Sequence, residues 1–231
     1  MPAGKAQPEN VVHQVFRYIR SELASAEGHF QAHEDIFQAH EEGRPELTPF
    51  HDFFELTMSG HFAGMILSVA RILDRDPRAA SIPWLLGQIE NEPGRFRTEA
   101  STLEDIRKRL ARADSLVQKI RRIRNKKIAH SERMTVAQSR SFWDTVALTE
   151  GDMKELLALL VGVMNDVERI LWRRAHYGSG KMYAVEHETG DVLKALRFAL
   201  ANGCPIEGID PSYLERLRRE AAESDISDFR K

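Results

Sequence analysis

Cysteine is nearly missing from this chain: Cys204 is the only one in 231 residues. A lone thiol closes no internal disulfide and builds no cysteine-based zinc cluster, which fits a reducing cytosol and excludes a secreted, disulfide-stapled domain. Cys204 precedes Pro205 with no activating cation beside it, so it is a poor nucleophile. Long apolar runs are absent as well. No stretch approaches ~20 uninterrupted apolar residues, and the opening MPAGKAQPENVVHQVF has no apolar segment of the signal-peptide kind. Membrane insertion is therefore not expected. Neither sign of charge dominates: 33 Lys and Arg against 35 Asp and Glu give a formal net charge of −2, so any phosphate-binding surface must be a local patch. Glycine-rich phosphate loops, a dinucleotide fingerprint after a strand, and a serine elbow are all missing.

What is present is an ordinary globular composition, 42% hydrophobic and 29% charged, which excludes disordered and collagen-like classes. Apolar residues recur at helical steps from Val11 through Phe16, Leu23 and Phe30 to Phe37, and Gly43 with Pro45 end the pattern. A second helix, apolar over a wide arc and expected to be the core helix, begins near Pro49 and reaches Ile72. Asp74-Arg75-Asp76-Pro77 breaks it, Ser81 and Pro83 start a short third helix, and Glu92-Pro93-Gly94 closes that one. The pattern predicts a single fourth helix from Thr98 to about Ala129, then a loop with one turn over Ser131–Leu148. Thr149 and Asp152 form a capping arrangement for a fifth helix ending near His176. Beyond it, Lys181–Val185 reads as a short strand, and Val192–Ala201 and Pro211–Ala222 as short helices. The expected fold is thus all-α: an antiparallel bundle of about five helices over residues 1–176, with a small α+β appendage over 177–231.

Two clusters invite a functional reading. In GHFQAHEDIFQAHEE, Phe30-Gln31-Ala32-His33-Glu34 recurs seven residues later as Phe37-Gln38-Ala39-His40-Glu41, so His29, His33 and His40 share one helical stripe. Histidines one turn apart can chelate zinc given a further ligand. The heptad-like repeat is explained more simply by Phe30 and Phe37 packing on a neighbouring helix, so no metal and no other cofactor is expected.

The second cluster is RIRNKKIAHSERM, Arg122 to Met134, with five cations and one histidine in thirteen residues. Cations suit a helix end, which accounts for part of the clustering. His130 is different, because an imidazole titrates near neutrality and can take a proton from a ribose 2′-OH, while a guanidinium such as Arg124 stabilises charge on the attacked phosphate. On an unbroken helix, six residues rise ~9 Å and turn through an offset of ~120°. The two side chains therefore meet only if the helix loosens before His130 or if a second subunit supplies its own copy. Asn125 can bond backbone groups freed by such a loosening.

The string Arg124-Asn125-Lys126-Lys127-Ile128-Ala129-His130 resembles the signature of the HEPN superfamily, helical domains in which an arginine followed by a polar residue precedes a histidine by four to six positions. The AbiU-like branch, associated with bacterial abortive infection, is the most similar. His61-Phe62 to Leu73-Asp74, then Ser81–Leu86, then Thr149 and the last long helix follow that branch's order of parts, so the likeness spans about Val11 to His176. The resemblance implies a metal-independent, cytoplasmic endoribonuclease working as a homodimer, with Arg124 and His130 catalytic. Asn125 is the implied support for them, and an antitoxin protein is a candidate partner. Arg121, Lys126, Lys127, Arg71 and Asp74 are further candidate supporting or RNA-binding residues, although for Arg71 and Asp74, with Arg75 and Asp76, an ion-paired, solvated helix end is the default reading. Many HEPN domains lack nuclease activity. The alternatives are therefore a non-catalytic dimer that binds RNA, a nucleotide or a protein, and a structural dimer whose cations only complement a helix end.

Overall fold

The computed structural model describes residues 8–96, 98–129, 145–172 and 192–198, with a few further positions between 212 and 219. Its regular structure over the described residues is helical: α1 (Pro8–Glu41), a 3-10 turn (Pro45–Phe50), α2 (His51–Ile72), α3 (Ile82–Asn91), a single turn α4 (Pro93–Phe96), α5 (Ala100–Arg112), α6 (Asp114–Ile123), a π-helical turn (Arg124–Ala129) and α7 (Glu150–Trp172). The all-α expectation holds. The strand expected at 181–185 lies outside the described residues, and the segment that follows is helical over 192–198, so nothing supports an α+β appendage.

Local chemistry sets the helix ends. At the end of α1 the Arg44 amide bonds the Ala39 carbonyl at 3.1 Å and the Gly43 amide bonds the His40 carbonyl at 2.9 Å, with Gly43 at φ +63°. This Schellman arrangement needs a left-handed residue, which glycine supplies without steric cost. At α3 the buried Ser81 hydroxyl accepts from the Trp84 amide at 3.4 Å. Ahead of α7, the Thr149 hydroxyl accepts from the Asp152 amide and the Asp152 carboxylate accepts from the Thr149 amide, both at 3.1 Å, the reciprocal capping box read from the sequence.

The described residues fall into two compact units, one within Met1–Glu27 and Ala63–Gly180, the other within Gly28–Phe62 and Lys181–Lys231. In the first, Phe16 and Ile19 of α1, Ile66 of α2, Leu85 of α3, Ile120 of α6 and Leu160 of α7 are at most 1% exposed. The second has a small core of Ile36, Ala39, Leu47, Phe54 and Leu193.

Three expectations are corrected. The helix expected from Thr98 to Ala129 bends at Ala113, with φ −88° and ψ 2°, into α5 and α6. Leu103, Ile106, Ala113, Val117, Ile120 and Ile123 are all buried, so the apolar spacing runs through the bend unchanged and gives no sign of it. The second helix is less continuously core than expected: Met65, Ile66, Val69 and Ile72 of its latter half are buried, but in its first half Phe54 is buried while Phe53 is 61% and Leu56 74% exposed. By length and composition alone, the 26 residues Leu47–Ile72 are apolar enough to cross a membrane, a property that counting uninterrupted runs missed because Ser, Gly and His interrupt them. Finally, Phe30 is buried but Phe37 is 43% exposed, its expected place in the core being taken by Ile36.

Candidate nucleic-acid interface

The site is built around the C-terminal end of α2 in the first unit. A helix ends with carbonyls that have no partner within the helix. Here Arg121, projecting from α6, donates from Nη2 to the Leu73 carbonyl at 2.8 Å. Asp74 then turns the chain, its Oδ1 accepting from the Asp76 amide at 3.0 Å, and its Oδ2 lies 3.8 Å from Nη1 of Arg124. Arg124 also donates from Nε to Oδ1 of Asn125 at 2.9 Å. The guanidinium of Arg124 is thus oriented by a carboxylate and an amide while about a third of its side chain stays open to solvent.

The backbone under Arg124 is equally distinctive. From Arg124 to Ala129 the helix widens into a π turn, in which amides bond back to the fifth rather than the fourth preceding carbonyl. A loosening just ahead of His130 is one of the two conditions under which Arg124 and His130 could meet. His130 itself lies outside the described residues, as do the side chains of Lys127, Ile128 and Ala129. Asn125 is exposed and Lys126 half-buried, each leaving the widened turn.

Acidic partners surround the same corner. Arg71 reaches Glu22 of α1 at 3.4 Å, Arg75 reaches Asp114 at the start of α6 at 2.7 Å, and Arg78 pairs with Asp76 at 2.8 Å. The hydrogen bonds from the Arg78 side chain, then from its amide, hold the Asp76 carboxyl below the usual carboxylate range. Tyr18, one turn before Glu22, has its phenol pushed up by burial and then by the Glu22 charge, with Arg71 opposing. At α7, burial pushes Asp152 up, but the Thr149 backbone and Lys119 outweigh it and leave the carboxyl lowered.

Of the residues picked out from sequence, the structure brings Arg71, Asp74, Arg121, Arg124 and Asn125 to one end of the bundle. Their roles separate. Arg121 is tied to a main-chain carbonyl, so it braces the α2 end. Tyr18 and Glu22 were missed because they lie 49 residues or more before Arg71 in the chain, and nothing in the local pattern of α1 marks them. A separate depression of about 450 Å³, lined by Thr102, Asp105, Lys108, Arg109, Arg112 and Asp166, carries mixed charge, and its Arg109 is engaged by Asp166.

The histidine stripe does not converge. His29 meets His61 of α2, His33 stacks on Phe37, and His40 stacks on His51. Among the described residues no three His, Cys, Asp or Glu side chains gather as a metal-binding group.

No curated protein and no solved structure matches the chain. The AbiU2 family matches over residues 10–187, a span that takes in every element from α1 to α7 and runs past the expected end of the likeness near residue 176. With Arg124–Ala129 forming a widened helical turn inside that span, the chain belongs to the AbiU2 family of the HEPN superfamily.

Proposed function

We propose that this protein is a metal-independent endoribonuclease. His130 removes the proton from a ribose 2′-OH, the resulting oxygen attacks the adjacent phosphorus, and the P–O5′ bond breaks. The products are a 2′,3′-cyclic phosphate and, once the leaving oxygen is protonated, a 5′-hydroxyl. Arg124 holds the scissile phosphate, Asn125 and Asp74 orient Arg124, Arg121 braces the α2 end, and Arg71, Lys126 and Lys127 draw the RNA backbone. The enzyme acts as a homodimer in the cytoplasm, in a phage-defence setting where an antitoxin protein restrains it.

The observation that carries this reading is the π turn at Arg124–Ala129. A helix pays for such a turn in poorer hydrogen bonding, and these turns concentrate where function needs a side chain re-aimed. Arg124 supports it further, since a guanidinium already oriented by Asp74 and Asn125 needs little reorganisation to accept a phosphate. The test is incubation of the purified protein with a mixed RNA pool, with and without EDTA, and identification of new termini. Cyclic-phosphate ends that form equally in EDTA and fall ~10²–10⁴-fold in His130→Ala are expected. Cleavage unchanged in His130→Ala would overturn the mechanism. RNA retained in a salt-sensitive complex but never cut would assign the protein to the binding-only class instead.

A further inference from the structure

Five of the nine histidines, His29, His33, His40, His51 and His61, fall between residues 28 and 62. The nuclease reading uses none of them. In the second unit the last part of α1 and the first part of α2 run antiparallel, and the imidazoles meet across them. His29 Nδ1 lies 2.9 Å from His61 Nδ1, with ring centroids 5.2 Å apart at 53°. At the other end of the same segments His40 stacks on His51, centroids 6.0 Å apart and planes 6° apart.

A 2.9 Å contact between two imidazole nitrogens is a hydrogen bond only if one carries a proton and the other offers a lone pair. It therefore exists when the pair is neutral, or when it holds a single extra proton. Two imidazolium rings would each present N–H at the same point, with no acceptor and with like charges in contact. We propose that the His29–His61 pair is a proton-operated clasp that holds these segments of α1 and α2 together near neutral pH and releases them in mild acid.

Among the described residues, the positions one turn from His29 and His61 on their own helices carry no carboxylate to compensate a second charge. On α1 the positions one turn either side of His29 are Ser25, Ala26, Ala32 and His33. On α2 those flanking His61 are Thr57, Met58, Gly64 and Met65. His33 is the only titratable group among them, and its ring faces Phe37 and Phe62. At the far end, His51 has Glu55 one turn on, at 3.6 Å, too remote along α2 to serve His61. Burial pushes His29 below the ordinary histidine range, and burial followed by the nearness of His29 does the same to His61. The sign follows. The folded state favours neutral rings, so the clasp contributes fully above the unfolded histidine value of ~6.5 and is lost as pH falls below it.

The experiment is amide hydrogen exchange on the full chain between pH 7.5 and 5, corrected for the intrinsic pH dependence of exchange. Amides of residues 51–62 are expected to open more often by roughly tenfold per pH unit below ~6.5, the limit for one proton taken up on opening. Those of 153–167, in the first unit, keep a flat profile. His61→Gln and His29→Gln, which cannot titrate, should flatten the 51–62 profile. A flat wild-type profile overturns the proposal, as does a wild-type slope that persists in both variants. If neither variant folds, the wild-type profile decides alone. None of these readouts depends on RNA cleavage.

Discussion

The α2 end and the histidine-bearing segment are both crowded with ionisable side chains, yet they are assembled by opposite rules. At the α2 end four guanidiniums meet carboxylates, Arg71 with Glu22, Arg75 with Asp114, Arg78 with Asp76 and Arg124 with Asp74, while Arg121 meets the Leu73 carbonyl. Between residues 28 and 62 imidazoles meet imidazoles or aromatic rings. Arginine keeps its charge throughout the physiological range. The first cluster therefore keeps its guanidinium charges in mild acid and is open to salt, which screens exposed pairs. The second is joined at its closest contact by His29 and His61, both held below the ordinary histidine range by burial, and has no fixed ion pair there for salt to weaken. A surface that binds a polyanion suits the first construction, and a surface that registers protons suits the second.

Several substitutions sharpen or break this contrast. The largest effect is expected from Arg124→Ala, which removes the proposed phosphate ligand and should lower cleavage by ~10²–10³ while leaving the circular dichroism spectrum intact. His61→Gln at pH 7.5 should leave cleavage as it was, and loss of activity there would merge the two clusters into one function. Ile120 is 1% exposed, so Ile120→Ala should cost about 2–5 kcal/mol in urea denaturation. If it also erased the pH response of amides 51–62, the two regions would not be separable. Arg121→Ala strips the Leu73 carbonyl of its donor. Because Arg121 is half-buried, about 1.5–2 kcal/mol is expected, the lower part of the range for a hydrogen bond to a charged group. A fall in RNA affinity without that loss of stability would make Arg121 a substrate contact rather than a brace. The smallest effect is expected from Arg75→Ala, whose pair with Asp114 is largely exposed. It should cost under about 1 kcal/mol, and less again in high salt.

Helix ends were the most legible part of the fold. Gly43, Ser81 and the Thr149–Asp152 pair each act on backbone groups within five residues, so their effect is written into the local string. Apolar spacing located the helices but not the Ala113 bend, because an α-helical period survives a bend that keeps the same stripe inward. It also put Phe37 in the core, where two equally apolar neighbours competed and tertiary packing took Ile36. For the site, the motif string picked out Arg124 and Asn125, and the argument from helical rise left two alternatives open, a loosened helix or a second subunit, of which Arg124–Ala129 shows a loosened turn. Glu22 and Tyr18 stayed hidden because their link to Arg71 is purely spatial.

The sequence by itself determined the helical class, the helix ends set at Gly43, Ser81 and Thr149, and the string that marks the family, since all of these depend on contacts between near neighbours. Only the tertiary structure decided that Arg121 caps α2, that Asp74 orients Arg124, and that His29 faces His61 rather than gathering with His33 and His40. Such pairings depend on how helices distant in the chain pack together, and the packing is fixed by buried apolar side chains that carry no record of which polar groups they will bring into contact.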